Sequence, residues 1–134
     1  MLDYQDLRKM AIARVEDAKA LLKASRFDGA LYIVGYAVEF ALKAKIASSF
    51  FVDHGFPESG EEFGILKNLQ THKLDDLLKL AGCEQKVESK QKLSWMYVRQ
   101  RWSPDIRYRR AGSANEDDAI KLIEAVEKIL KVLK

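Results

Sequence analysis

Four polar or aromatic side chains recur along one otherwise apolar stretch, and they are the first residues here that could do chemistry. Tyr32, Tyr36, Glu39 and Lys43 follow one another at spacings of four, three and four, so in a helix they share one face. Between residues 29 and 42, Glu39 is the only charged residue. An unpaired buried charge costs several kcal/mol, so this carboxylate needs a partner.

Two interpretations of that partner are open. Lys43 stands one helical turn after Glu39, and the two could pair while both reach water. Alternatively, Glu39 faces an arginine from another helix and lines a cleft. On the second interpretation, Glu39, Lys43 and Tyr36 are predicted ligand-binding residues.

A second group of chemical interest is the arginine-rich segment 99–110, RQRWSPDIRYRR. It holds five of the eight arginines of the chain against one acid, Asp105, and aromatic residues alternate with the cations. Arginine offers forked donors to phosphate, and flat rings offer stacking faces to bases. The alternative is a solvated basic loop with Trp102 tucked into the core. The predicted ligand-binding residues of this segment are Arg107, Tyr108, Arg109 and Arg110.

Metal and cofactor chemistry find little support in the sequence. His54 and His72 are the only histidines, Cys83 is the only cysteine, and none stands at ligand spacing from another. The glycines are dispersed and form no phosphate-binding loop. We therefore predict no metal and no cofactor. A histidine at the start of a helix most often makes local contacts, and the sequence leaves the role of His72 open.

Length and composition indicate one globular domain spanning residues 1–134. Apolar residues make up 48% and charged residues 32%, with a net charge of +3, which is too small by itself to indicate nucleic-acid binding. The first residues contain no apolar signal segment, and the apolar stretch is too short to span a bilayer once Glu39 and Lys43 are counted. The sequence therefore predicts a cytoplasmic protein that does not enter the membrane.

Apolar residues recur at helical spacing throughout, and no strand pattern is visible. The predicted helices cover residues 4–24, 28–49, 72–81 and 85–101, with a fifth beginning after residue 115 and a long loop at 51–64. Short connections favour antiparallel neighbours. The predicted fold is an all-α up-and-down bundle of about five helices. The predicted helix ends are the N-caps Asp3, Asp28, Thr71 and Asn115 and the C-terminal stop Gly82.

Two segments, GYAVEFALKA and THKLDDLLKLAG, followed by a tryptophan-containing helix and a loop with RYR, resemble the HEPN domain. This family is named for higher eukaryotes and prokaryotes and for suspected nucleotide binding. The resemblance spans nearly the whole chain. It implies a helical bundle that commonly forms a two-fold dimer, with a groove where Glu39 meets basic residues from Arg107, Arg109 and Arg110.

The resemblance also implies a choice of functions. Many members are ribonuclease toxins that use an arginine followed four to six residues later by a histidine, but no histidine follows Arg107 in this sequence. Because histidine suits proton transfer at neutral pH and arginine does not, we predict binding of nucleotide, RNA or a nucleotidyltransferase partner without efficient ribonuclease activity. The alternative is the ribonuclease toxin of a toxin–antitoxin pair with an atypical site.

Overall fold

The computed structural model describes residues 3–50 and 71–134, and the predicted loop at 51–64 lies outside them. Over the described ranges the chain is helical without strands, which confirms the predicted all-α bundle. A short 3₁₀ helix lies between the fourth and fifth α-helices. The elements are α1 Tyr4–Lys23, α2 Phe27–Phe50, α3 Leu74–Leu80, α4 Glu84–Arg101, the 3₁₀ helix Pro104–Tyr108 and α5 Glu116–Leu133.

Two of the predicted N-caps are confirmed by reciprocal capping boxes. The side chain of Asp3 accepts a hydrogen bond from the backbone N–H of Asp6 at 2.8 Å, and Asn115 does the same for Asp118 at 2.8 Å. Each cap satisfies an N–H group that the helix itself leaves without a partner. Gly82 adopts φ +67°, the left-handed conformation expected of a glycine that ends a helix.

The other two predicted caps were wrong. Asp28 lies inside the first turn of α2, which begins at Phe27. Its carboxylate instead accepts backbone N–H groups of Gly112 and Ala114, the latter at 2.9 Å, and so ties α2 to the loop before α5. These backbone donors hold the pKa of Asp28 below its usual value. Thr71 lies three residues before α3, where its hydroxyl accepts the N–H of Lys73.

The core forms where α2 packs between its neighbours. α1 lies along α2, α5 packs against both α2 and α4, and α3 connects α2 with α4. Val34, Val38 and Leu42 of α2 are fully buried, as are Leu122 and Val126 of α5. Because neighbours cover α2 on several sides, it is apolar over most of its circumference, and its few polar side chains must find partners inside the bundle. None of the helices in the described ranges is long and apolar enough to cross a membrane.

Trp102 fixes the position of the 3₁₀ helix relative to α2. Its indole lies flat against Gly35, where an added Cβ would stand 2.1 Å from the ring, and its Nε1 donates to the backbone carbonyl of Tyr32 at 3.0 Å. The indole also meets the ring of Tyr36 edge-on, with ring centres 5.0 Å apart. Pro104, two residues on, cannot continue α4, so the chain turns here across the polar face of α2.

Candidate functional site

Glu39 is 2% exposed and is connected to the candidate site through its contact with His72. Its Oε1 is 2.8 Å from Nδ1 of His72, and its Oε2 is 3.4 Å from Nζ of Lys43. The pairing with Lys43 is confirmed, but the pair does not reach water, because Lys43 is itself only 9% exposed. The partner that Glu39 finds in a distant part of the chain is His72, not the arginine of the second interpretation.

His72 lies where it can connect Glu39 to solvent. It precedes α3 by two residues, and its side chain is 59% exposed although Nδ1 contacts a buried carboxylate. When Nδ1 donates to a carboxylate, Nε2 of a neutral imidazole becomes the hydrogen-bond acceptor. The sequence left the role of His72 open; in the structure its imidazole contacts a residue 33 positions earlier and links α2 to the surface.

A line of hydroxyl groups leads from Glu39 toward the arginine-rich segment. Tyr36 and Tyr32 hold their hydroxyl oxygens 3.3 Å apart with the rings edge to face. Burial, followed by the hydrogen bond with Tyr32, raises the pKa of Tyr36 to about 12, and the negative charge of Glu39 acts in the same direction. The Tyr36 hydroxyl therefore stays protonated at neutral pH and remains a donor.

Arg107 stands at the outer end of this line. Its Nη2 donates to the hydroxyl of Tyr108 at 3.1 Å, and its guanidinium lies 4.8 Å from the centre of that ring. The hydroxyl of Tyr108, and secondarily that of Tyr32, raises the pKa of Arg107, so its charge is permanent. Arg107 is one of the arginines that the sequence predicted for the site. Tyr32 and Tyr36 lie between its guanidinium and Glu39.

A cleft of about 820 Å³, which we call the His72 cleft, opens between the start of α3 and the 3₁₀ helix. Its charges are mixed. Arg99 is paired with Asp75 at 2.7 Å, and Asp75 also accepts Nε1 of Trp95. Its charged or titratable lining residues are His72, Lys73, Asp75, Asp76, Arg99, Asp105 and Arg107.

A second cleft, of about 450 Å³, lies on the side of the 3₁₀ helix that faces the start of α2. We call it the Arg26 cleft. Arg107 lines this cleft as well as the His72 cleft, so the two adjoin at that side chain. The side chains that line it include Arg26, Asp28, Tyr32, Arg107 and Arg109.

Of the predicted site residues, Arg107 and Tyr108 lie on the 3₁₀ helix and Tyr36 contacts Trp102 beside it, whereas Glu39 and Lys43 line neither cleft. Tyr108 is 74% exposed and stacks under Arg107, and Arg109 lines the Arg26 cleft. Arg110 is exposed and does not line either of these two clefts. Within residues 3–50 and 71–134, His, Cys, Asp and Glu side chains form no group of three or more that could hold a metal ion.

The predicted ligand-binding residues did not include His72, Tyr32 or Arg26. The signal for Tyr32 was present, since it belongs to the helical stripe with Tyr36 and Glu39. His72 gave a weaker signal: it is one of only two imidazoles available to a buried acid. Arg26 follows from no local pattern, because it enters its cleft through the close approach of the loop before α5 to the start of α2.

Comparison with models of protein families matches the HEPN domain to residues 4–134, nearly the full length of the chain. Comparisons with curated proteins and with solved structures gave no match.

Proposed function

The chain belongs to the HEPN domain family, and on that premise we propose that it binds a phosphate-bearing ligand, a nucleotide or RNA, in the His72 cleft. The observation that supports this most is the pairing of buried Glu39 with His72 at a cleft that Arg107 also lines. Arg107 supplies a forked donor for phosphate, and His72 supplies a nitrogen for a hydroxyl or base edge.

The energetic reason is that Glu39 sits at a costly position. A carboxylate that is only 2% exposed loses most of its hydration energy. It is stable in the folded protein only where its contacts with other groups compensate for that loss. Here the carboxylate fixes the tilt and tautomer of a largely exposed imidazole. Such an arrangement is typical of a binding or catalytic histidine rather than of a packing residue.

The test is fluorescence anisotropy with labelled uridine monophosphate and a labelled short single-stranded RNA. Arg107→Ala should weaken binding of both about tenfold, the loss expected from one charge-assisted contact. Arg8→Ala is the matched control, because this residue also stacks on a tyrosine but lies on α1, away from the cleft. Undetectable binding to the wild type, or equal affinities for both variants, would contradict the proposal.

A second candidate function, RNA cleavage, is favoured by one observation: a histidine does accompany Arg107, though it precedes it in sequence. In that reaction Nε2 of His72 takes the proton of a ribose 2′-hydroxyl, and the oxygen attacks the adjacent phosphorus. The bond to the 5′-oxygen breaks, and that oxygen takes a proton from water, leaving a 2′,3′-cyclic phosphate and a 5′-hydroxyl. Arg107 would stabilise the charge on the phosphate oxygens.

Cleavage and binding can be separated with two variants. His72→Ala should abolish production of cyclic-phosphate ends while leaving RNA affinity within a fewfold of the wild type, whereas Arg107→Ala should reduce both. Intact RNA after prolonged incubation with the wild-type protein would remove this candidate and leave binding. The nucleotidyltransferase partner, the homodimer and the role as a toxin remain predictions drawn from the resemblance.

A further inference from the structure

The Arg26 cleft differs from the His72 cleft in its balance of charge. It brings together Arg26, Arg107 and Arg109 with a single acid, Asp28. That acid is already engaged, since its two oxygens accept the N–H groups of Gly112 and Ala114. Asp28 keeps its negative charge and attracts Arg26, but one carboxylate cannot balance three guanidinium groups, so the cleft carries an excess of positive charge.

The three arginines of this cleft differ from Arg99 of the His72 cleft in their ion pairing. Within residues 3–50 and 71–134, none of them forms an ion pair. By contrast, Arg99 in the His72 cleft is neutralised by Asp75 at 2.7 Å. Three guanidinium groups around one concave surface repel one another, and an oxyanion would relieve that repulsion through charge-assisted hydrogen bonds.

The position of Arg107 connects this cleft to the first. It projects from the 3₁₀ helix Pro104–Tyr108 and lines the cleft on either side. A mononucleotide carries its charge at one end and needs only one of the clefts. A strand with successive phosphodiesters could place one phosphate at Arg107 and the next among the remaining arginines, crossing the exposed ring of Tyr108.

We propose that Arg26 and Arg109 form a second phosphate subsite, so that the ligand of this protein is a segment of single-stranded nucleic acid with at least two consecutive phosphates. The inference rests on the proposed function, because it takes Arg107 as the contact for the first phosphate. It adds Arg26, which no sequence pattern selected, and it makes strand length the determinant of affinity.

The experiment compares ligands of increasing length: thymidine 5′-monophosphate, thymidine oligonucleotides of three and six residues, and uridine oligonucleotides of the same lengths. The deoxy strands lack the 2′-hydroxyl and therefore stay intact in either proposed function. The wild type should bind the trinucleotide at least tenfold more tightly than the monophosphate. Arg26→Ala/Arg109→Ala should lose this gain, so that the trinucleotide binds no more tightly than the monophosphate.

Salt dependence gives an independent measure. For single strands, each neutralised phosphate contributes about 0.7 to the slope of log affinity against log salt, so the double variant should be less steep on the hexanucleotide by about 0.7 to 1.4. Arg8→Ala/Arg101→Ala removes the same charge from outside both clefts and should preserve the gain with length. Both double variants change exposed side chains, and far-UV circular dichroism verifies that they fold.

The outcomes distinguish this inference from the proposed function. If the wild type binds the monophosphate and Arg107→Ala weakens it, but affinity does not rise with length or the double variant keeps the rise, the second subsite is wrong and the first stands. If the wild type binds none of these ligands, both fail. A preference for uridine over thymidine strands of equal length would identify RNA as the source of the phosphates.

Discussion

Glu39 shows how one residue can be understood from its cost. It is 2% exposed, and each of its oxygens has a cationic or imidazole partner, one from its own helix and one from residue 72. Removing one partner of a buried ion pair costs more free energy than replacing both partners with apolar residues, because the remaining charge stays buried. The partners of such a residue fix its position, and the residue in turn fixes the positions of its partners.

We predict that Glu39→Ala lowers the free energy of unfolding by about 3 kcal/mol, the usual cost of breaking a buried pair. The measurement is urea denaturation followed by circular dichroism. Glu127→Ala is the matched control, because its pair with Lys19, at 3.0 Å, joins two side chains about 40% exposed, and such pairs contribute no more than about 1 kcal/mol. Equal losses in the free energy of unfolding would contradict the prediction, because the buried pair of Glu39 would then contribute no more than an exposed pair.

Tyr36 provides a prediction about pH. Its pKa is raised to about 12 by burial and by the hydrogen bond with Tyr32, so the native state holds this proton more tightly than the unfolded chain does. That contribution to stability is complete below the ordinary tyrosine pKa near 10 and is lost as the pH rises toward about 12. Ultraviolet titration of the native protein should show one tyrosine ionising late, and Tyr36→Phe should remove that late step alone. If the titration of Tyr36→Phe matched that of the wild type, the tyrosine with the high pKa would not be Tyr36.

At the scale of elements, the contact between α2 and the 3₁₀ helix determines where the arginines stand. The indole of Trp102 occupies the space that a side chain at position 35 would need, and it hydrogen-bonds the carbonyl of Tyr32. Because Gly35 has no side chain, Trp102 can pack against α2 and position the 3₁₀ helix, which follows nearly seventy residues later in the chain. The arrangement positions Arg107 beside the tyrosines.

Gly35→Ala should therefore destabilise the protein by about 1–3 kcal/mol, since the added methyl group would displace the indole of Trp102. Gly29→Ala is the control on the same helix: its Cβ would lie 3.4 Å from Leu21, an ordinary contact. That substitution should be neutral or stabilising by roughly 0.5–1 kcal/mol, because alanine favours helix. Chemical denaturation measures both. Similar effects at the two positions would contradict the proposed packing.

The helices could be predicted from the sequence because apolar residues recur with helical period. The caps Asp3 and Asn115 could be predicted because their residue types favour that position. Asp28 misled because an acid at the start of a helix resembles a cap even when its true partners are N–H groups more than eighty residues away. The need of Glu39 for a partner was predictable. The identity of that partner was not, since it depends on how α3 approaches α2.

At the scale of the whole molecule, α3 and α4 join the remainder through two contacts of different kinds. α3 meets α2 beside the site, and α4 packs along α5, which in turn packs on α2. Trp95 is buried near α3, where it donates to Asp75, whereas Trp102 is buried against α2. The two tryptophans of the chain therefore report separately on the two parts of the bundle.

We predict that the bundle unfolds as one cooperative domain, because α5 shares its apolar face between α2 and α4 and cannot leave one without exposing the other. The measurement uses Trp95→Phe and Trp102→Phe, each of which keeps one tryptophan. Within each variant, the urea midpoint from tryptophan fluorescence should coincide with that from far-UV circular dichroism, whatever stability the substitution removes. A fluorescence transition of the remaining Trp95 that precedes the loss of helix would identify α3 and α4 as a separately unfolding unit. The His72 cleft would then form only while that unit stays docked, since His72 and Arg99 come from its side of the site.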